Sequence, residues 1–182
     1  MKNNIIKSLA LLLLIFTASC TEESDTVQMN DSASEDLTGK SGNGSVWESV
    51  IGAVQDGEYV IVADREVLKL ELENILKRED NATEITSLEI VEKAATNDPA
   101  DIGYMLIGSG DGEISIGVPL SMDASSPMTP ILIVDPGLFK SVTCRGCAQG
   151  CNLEYLIDRG KKYPYCNENG CYYNCKKTES SF

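Results

Sequence analysis

The side chains best placed to do chemistry are six cysteines near the C-terminal end: Cys144, Cys147, Cys151, Cys166, Cys171 and Cys175, spaced C-x2-C-x3-C-x14-C-x4-C-x3-C. Thiols at that density have three uses. Four could close a tetrahedral zinc site, which leaves two over. Cys144-Arg145-Gly146-Cys147 could act as a redox dithiol, with Arg145 favouring a thiolate, although the βαβ context of thioredoxin-like motifs is missing. The third use is structural. A segment of about forty residues cannot build a sufficient apolar core, and disulfides supply what it lacks. An even count favours three disulfides wherever the compartment is oxidising. Cys147 with Cys151, and Cys171 with Cys175, sit at i and i+4 and would share a face on a helical turn. Bonds are therefore expected between the two clusters rather than within them.

Other chemistry is thinner. The chain has no histidine, which removes the commonest general base, metal ligand and nucleophile partner. An enzyme would have to use carboxylates such as Glu89, Asp111 or Glu113 on a sheet face, and no spacing selects them. No residue is assigned as catalytic, and no metal or cofactor is expected. Gly108-Ser109-Gly110-Asp111-Gly112 opens no helix and lacks the alternating acids of a calcium loop, so it reads as a hairpin turn. Tyr155, Tyr163, Tyr165, Tyr172 and Tyr173, beside Arg159, Lys161 and Lys162, admit two readings. The rings could cover the disulfides of a small module, or they could be anchors of an interface for a protein or glycan partner.

Charge separates the chain into parts. The net charge is −13; residues 45–140 hold eighteen acids and six bases, and residues 141–182 hold six bases and four acids. A field this negative repels phosphate backbones, so no nucleic-acid partner is expected.

The compartment is decided at the other end. Lys2 and Lys7 precede the apolar run Leu9 to Phe16, which is too short to span a bilayer. Ala18, Ser19 and Cys20 follow. This resembles the signal peptide of bacterial lipoproteins, and Cys20 stands where that family carries its lipid; Thr17 departs from the family's usual Leu. The resemblance implies removal of residues 1–19, attachment to a membrane through lipid on Cys20, and an oxidising space around the other six cysteines. Residues 20–44 hold almost no large apolar side chain and read as a disordered acidic tether. Thr21-Glu22-Glu23-Ser24-Asp25 is similar to the acidic surface-export signals of Bacteroidota lipoproteins. Asp25-Thr26-Val27 and Asp31-Ser32-Ala33 are similar to that phylum's O-glycosylation sequon. Val142 to Cys147, Gly150-Cys151-Asn152 and Cys175 to Thr178 resemble C-terminal segments of small Bacteroidota lipoproteins, which implies a location and no activity. The expected location is the outer membrane, at the cell surface, with the periplasmic face as the alternative.

The elements that must position the cysteines come next. Val46, Trp47, Val50, Ile51 and Val54 predict a short amphipathic helix after an N-capping Ser45, stopped by Gly57. Tyr59 to Ala63 predicts a buried strand. Asp64 should cap a helix whose apolar stripe is Leu68, Leu72, Ile75, Leu76 and Glu79, flanked by Val67 and Leu70 and ended by Asp80-Asn81. Strands are predicted at Ile85 to Val91, Tyr104 to Ile107, Glu113 to Leu120 and Ile131 to Val134, with a polar link at 96–101. Pro119 suits an edge strand or a strand end. The predicted fold class is α+β: an antiparallel sheet with one long helix across a face (45–140), plus a small disulfide-rich C-terminal module (141–182). One helix on an antiparallel sheet also resembles the cystatin layout, which implies a hydrolase inhibitor as an alternative function.

Overall fold

A computed structural model describes residues 44–111, 113–125, 129–147, 150–171 and 174–182. The signal-like segment, Cys20, the tether before Gly44, Gly112, Tyr172 and Tyr173 lie outside these residues.

The fold is α+β, an antiparallel sheet with one helix and a disulfide-rich C-terminal segment. Ser45 does cap a helical turn, accepting a hydrogen bond from the Trp47 amide, but only three residues follow, as a 3-10 turn (Val46–Glu48). The chain then enters β1 (Val50–Gln55) and returns as β2 (Glu58–Ile61). The helix expected over Val46 to Val54 is therefore a turn and a strand. Four β-branched side chains (Val46, Val50, Ile51 and Val54) and Gly52 weaken a helix there, and Asp56-Gly57, both at positive φ (52° and 84°), form a two-residue hairpin turn. What reads as a helix stop is a chain reversal.

The long helix behaves as its periodicity dictates. In α1 (Arg65–Arg78) the Asp64 carboxylate accepts from the Glu66 and Val67 amides, and Leu68, Leu72, Ile75 and Leu76 are buried. Asp80 at φ 57° lets the Asn81 amide reach back to the Leu76 carbonyl at 2.9 Å, which closes the helix end.

β3 (Ser87–Ala95) and β4 (Asp98–Ser109) form a long hairpin. The link expected at 96–101 contracts to a Thr96-Asn97 turn, and Pro99 lies near the start of β4. β5 (Ile114–Asp123) runs beside β4, and its other edge is divided between two strands. β6 (Ile131–Val134) pairs with Leu120–Asp123, and β7 (Lys140–Arg145) pairs with Ile114–Gly117. Pro119 falls where the partner changes. It is buried inside the sheet rather than at an edge, because the neighbouring chain leaves the ladder just where an N–H is missing. The Pro119 carbonyl still accepts from Asp135 at 3.0 Å. Beyond β6 lie β1 and β2; beyond β7 lies β10 (Lys176–Ser181).

The sheet curls around α1. Ile90 of β3 reaches Gly52 of β1, and Tyr59 of β2 donates to Glu92 of β3 and lies 5.3 Å from the Tyr104 ring. The inner core contains Trp47, Ile51, the helix stripe, Leu106, Ile116 and Val118. A second core covers the outer face of β3, β4, β5 and β7. Its lid is a two-stranded hairpin, β8 (Asn152–Asp158) and β9 (Lys161–Asn167). The cysteine-rich segment is thus continuous with the main sheet. Its first and last strands, β7 and β10, are ladder strands, and the boundary drawn at residue 141 falls inside β7.

Candidate interaction surface

The β8–β9 hairpin is where the six cysteines, the tyrosines and the basic residues meet. The cysteines pair as Cys144–Cys166, Cys147–Cys171 and Cys151–Cys175. Each bond joins the first cluster to the second, as expected; that the three run in chain order is set by the fold and not by the spacing. A two-stranded ribbon alone is marginal in water. Here it is bolted to β7 by Cys144–Cys166 and to the approach of β10 by Cys151–Cys175.

Alternation along the ribbon sorts its side chains. Leu153, Tyr155 and Ile157 point inward with Cys166, onto the outer face of the sheet. Gly103 and Gly117 leave the room: a Cβ on Gly117 would overlap Leu153, and one on Gly103 would come within 2.9 Å of the Tyr155 ring. The strand is also stitched by hydrogen bonds. The Thr96 amide donates to the Tyr155 carbonyl at 3.0 Å, and Asn97 makes reciprocal bonds with Ile157, at 2.7 Å to its carbonyl and 2.8 Å from its amide.

Tyr155 is therefore not an interface anchor. It is 1% exposed, its hydroxyl lies 2.8 Å from the Asp101 carbonyl and 3.1 Å from that of Lys93, and the Lys162 ammonium sits 5.3 Å from its ring centre. Burial, followed by the Asp101 carboxylate, pushes its phenol pKa well above the ordinary tyrosine range. The signal that separates Tyr155 from its neighbours was present in the sequence as the two-residue alternation of Leu153, Tyr155 and Ile157.

The other parity faces outward. Leu156 lies opposite Tyr163, Glu154 opposite Tyr165, and Asp158 opposite Lys161. Tyr163 is 45% exposed, and Tyr165 and Leu156 are half-buried. The tip is Arg159-Gly160, both at positive φ, with Arg159 exposed. Lys93 pairs with Glu154 at 3.2 Å and Lys162 with Asp101 at 3.3 Å. Among the described residues, Arg159 and Lys161 make no ion pair. The surface that results is two tyrosines and a leucine on a rigid ribbon, with a cationic tip, on a body that is otherwise acidic.

The carboxylates considered for an enzyme are not gathered. Glu89 is exposed in mid-β3 opposite Ile107, while Asp111 and Glu113 lie in the β4–β5 turn. Among the described residues no hydrogen bond or ion pair joins the three side chains. No protein-family model, no curated protein and no solved structure matches this chain.

Proposed function

We propose that the chain is a lipid-anchored, cell-surface protein that acts by binding, with the outward face of the β8–β9 hairpin as its contact surface. The observation that carries the binding reading is Tyr163 and Tyr165 displayed side by side on a ribbon fixed by cystines. Rigid aromatic side chains lose little entropy on association, and tyrosine with arginine supplies most of the strong anchors at interfaces. Three cystines support an oxidising, extracytoplasmic location. Among the described residues no helix is long and apolar enough to cross a membrane. The proposed attachment is the lipid on Cys20, on the signal-peptide resemblance. Two or more acyl chains would be needed for stable anchoring.

Two measurements test this reading. Mass spectrometry of the N-terminal peptide from native material should show Cys20 as an acylated first residue; an intact Met1 or an unmodified Cys20 would overturn the anchor. A photo-crosslinking residue placed at Tyr163 should trap a partner on intact cells, whereas the same residue at Val67 on the helix should not. Trapping from Val67 alone would move the contact surface to the helix.

A further inference from the structure

The outward face of the β8–β9 hairpin is ordered in rows. From the tip inward, Asp158 lies opposite Lys161, Leu156 opposite Tyr163, Glu154 opposite Tyr165, and Asn152 opposite Asn167. Side chains two residues apart on a strand share a face and stand roughly 6.6 Å apart along it. Lys161, Tyr163, Tyr165 and Asn167 therefore form a straight line along β9. The two rings fall in the middle of that line, and a pair of amides closes its far end.

Three features limit what can lie there. The first is the state of the ribbon's edges. The Tyr155 carbonyl accepts from the Thr96 amide, and both backbone groups of Ile157 are taken by the Asn97 side chain. On the other strand Pro164 has no N–H, and its carbonyl accepts from the Lys177 ammonium at 2.6 Å. A peptide adding as a further strand would need those groups. The middle of each edge is thus closed to it, and the face is what stays open. The second feature is size. Seven register pairs on two strands give a strip roughly 23 Å long and roughly 10 Å wide. Each side of a stable protein interface buries about 800 Å², far more than this strip holds. The third is charge. The face and its tip carry two bases, Arg159 and Lys161, and two acids, Glu154 and Asp158. Those charges cancel, and the acidic body repels a polyanion.

The molecule that fits is long, narrow and uncharged, and can use rings and amides together. Pyranose sugars meet those terms. Their C–H faces pack on aromatic rings, and their hydroxyls both donate to and accept from amides. We propose that the partner of this face is an extended, uncharged polysaccharide, with its sugar rings on Tyr163 and Tyr165 and its hydroxyls at Asn152 and Asn167. This rests on the hairpin face being the contact surface and names the class of molecule that the surface takes. The cystines hold the two rings at their spacing before the ligand arrives, which lowers the entropy lost on binding.

The test uses the full chain on intact cells, with a photo-crosslinking residue at Leu156, opposite Tyr163, so that both rings stay in place. After illumination the chain is recovered, reduced and digested with protease, and the peptide containing position 156 is weighed. The expected product is that peptide carrying a protease-resistant series of neutral-sugar increments. Tyr163→Ala/Tyr165→Ala should lower its yield about tenfold or more. Equal yield from the double variant would overturn the stacking role of the rings. Partner peptides joined to position 156 would overturn the polysaccharide and leave the contact surface standing. An adduct of uronic or sulfated sugars would overturn the uncharged class. No adduct from position 156 or from position 163 would remove the surface itself, and this proposal with it.

Discussion

Leu153 on β8 fills the space that Gly117 on β5 leaves open, so the hairpin rests directly on sheet backbone. Gly117→Ala should force the ribbon outward and cost about 1–3 kcal/mol, as overpacking of a filled core does. Gly160 at the hairpin tip is a useful contrast. Nothing lies near its missing side chain, and its φ is 73°, so Gly160→Ala should cost only backbone strain, about 1 kcal/mol. Guanidinium unfolding of the two variants separates the cases.

Tyr155→Phe keeps the ring against Gly103 but removes the hydroxyl between the carbonyls of Asp101 and Lys93. Leaving buried acceptors unpaired should cost about 1–3 kcal/mol. The pH dependence has a defined sign. Because folding raises this phenol's pKa, its contribution is complete below the unfolded value of about 10 and is lost as pH rises through the folded value. A tyrosinate absorbance titration should therefore show Tyr155 ionising only together with unfolding.

Glu179 on β10 behaves in the opposite direction. It accepts from Lys140 and, at 2.5 Å, from Lys177. These two ammonium groups, Lys140 first, hold its carboxyl below the ordinary glutamate range. Its contribution is present above the unfolded value of about 4.3 and fades as pH falls through the folded one. The site is part-exposed, so the effect is a few tenths of a kcal/mol. Thermal unfolding of Glu179→Gln against the parent should differ at pH 7, and the difference should shrink as the pH falls below the ordinary glutamate range.

Phe182 stacks on Trp47 at 4.4 Å and meets Phe139 edge-on at 5.1 Å. Trp47 is the chain's one tryptophan, so its emission reports this corner of the core without interference from another indole. Phe182→Ala should red-shift that emission and cost about 1–3 kcal/mol.

Tyr163→Ala/Tyr165→Ala removes rings that point away from the body. Stability should stay within about 0.5 kcal/mol of the parent, while partner trapping by a photo-crosslinking residue at Leu156, opposite position 163, should be lost. A collapse in stability would mean that the outward parity of these two side chains is wrong.

Local pattern explains what was legible beforehand. The stripe from Leu68 to Leu76 specifies α1 because about two and a half turns of apolar spacing at i, i+4, i+7 and i+8 fit nothing else. Val46 to Val54 misleads because β-branched residues at helical spacing also suit a strand, and the turn at Asp56-Gly57 decides between them. β10 was invisible for a different reason. Lys176-Lys177-Thr178-Glu179-Ser180-Ser181 buries little, and its place comes from backbone pairing with β7, thirty-odd residues earlier in the chain. Chemical type could not tell Tyr155 from Tyr163; parity along the strand could.

All three cystines straddle the Asp158–Lys161 reversal, linking residues before it to residues after it. A protease that cut the exposed Arg159–Gly160 peptide would liberate no fragment. The nicked product would travel as one particle, heavier by a single water, and would fall into two polypeptides only after its sulfur bridges were opened.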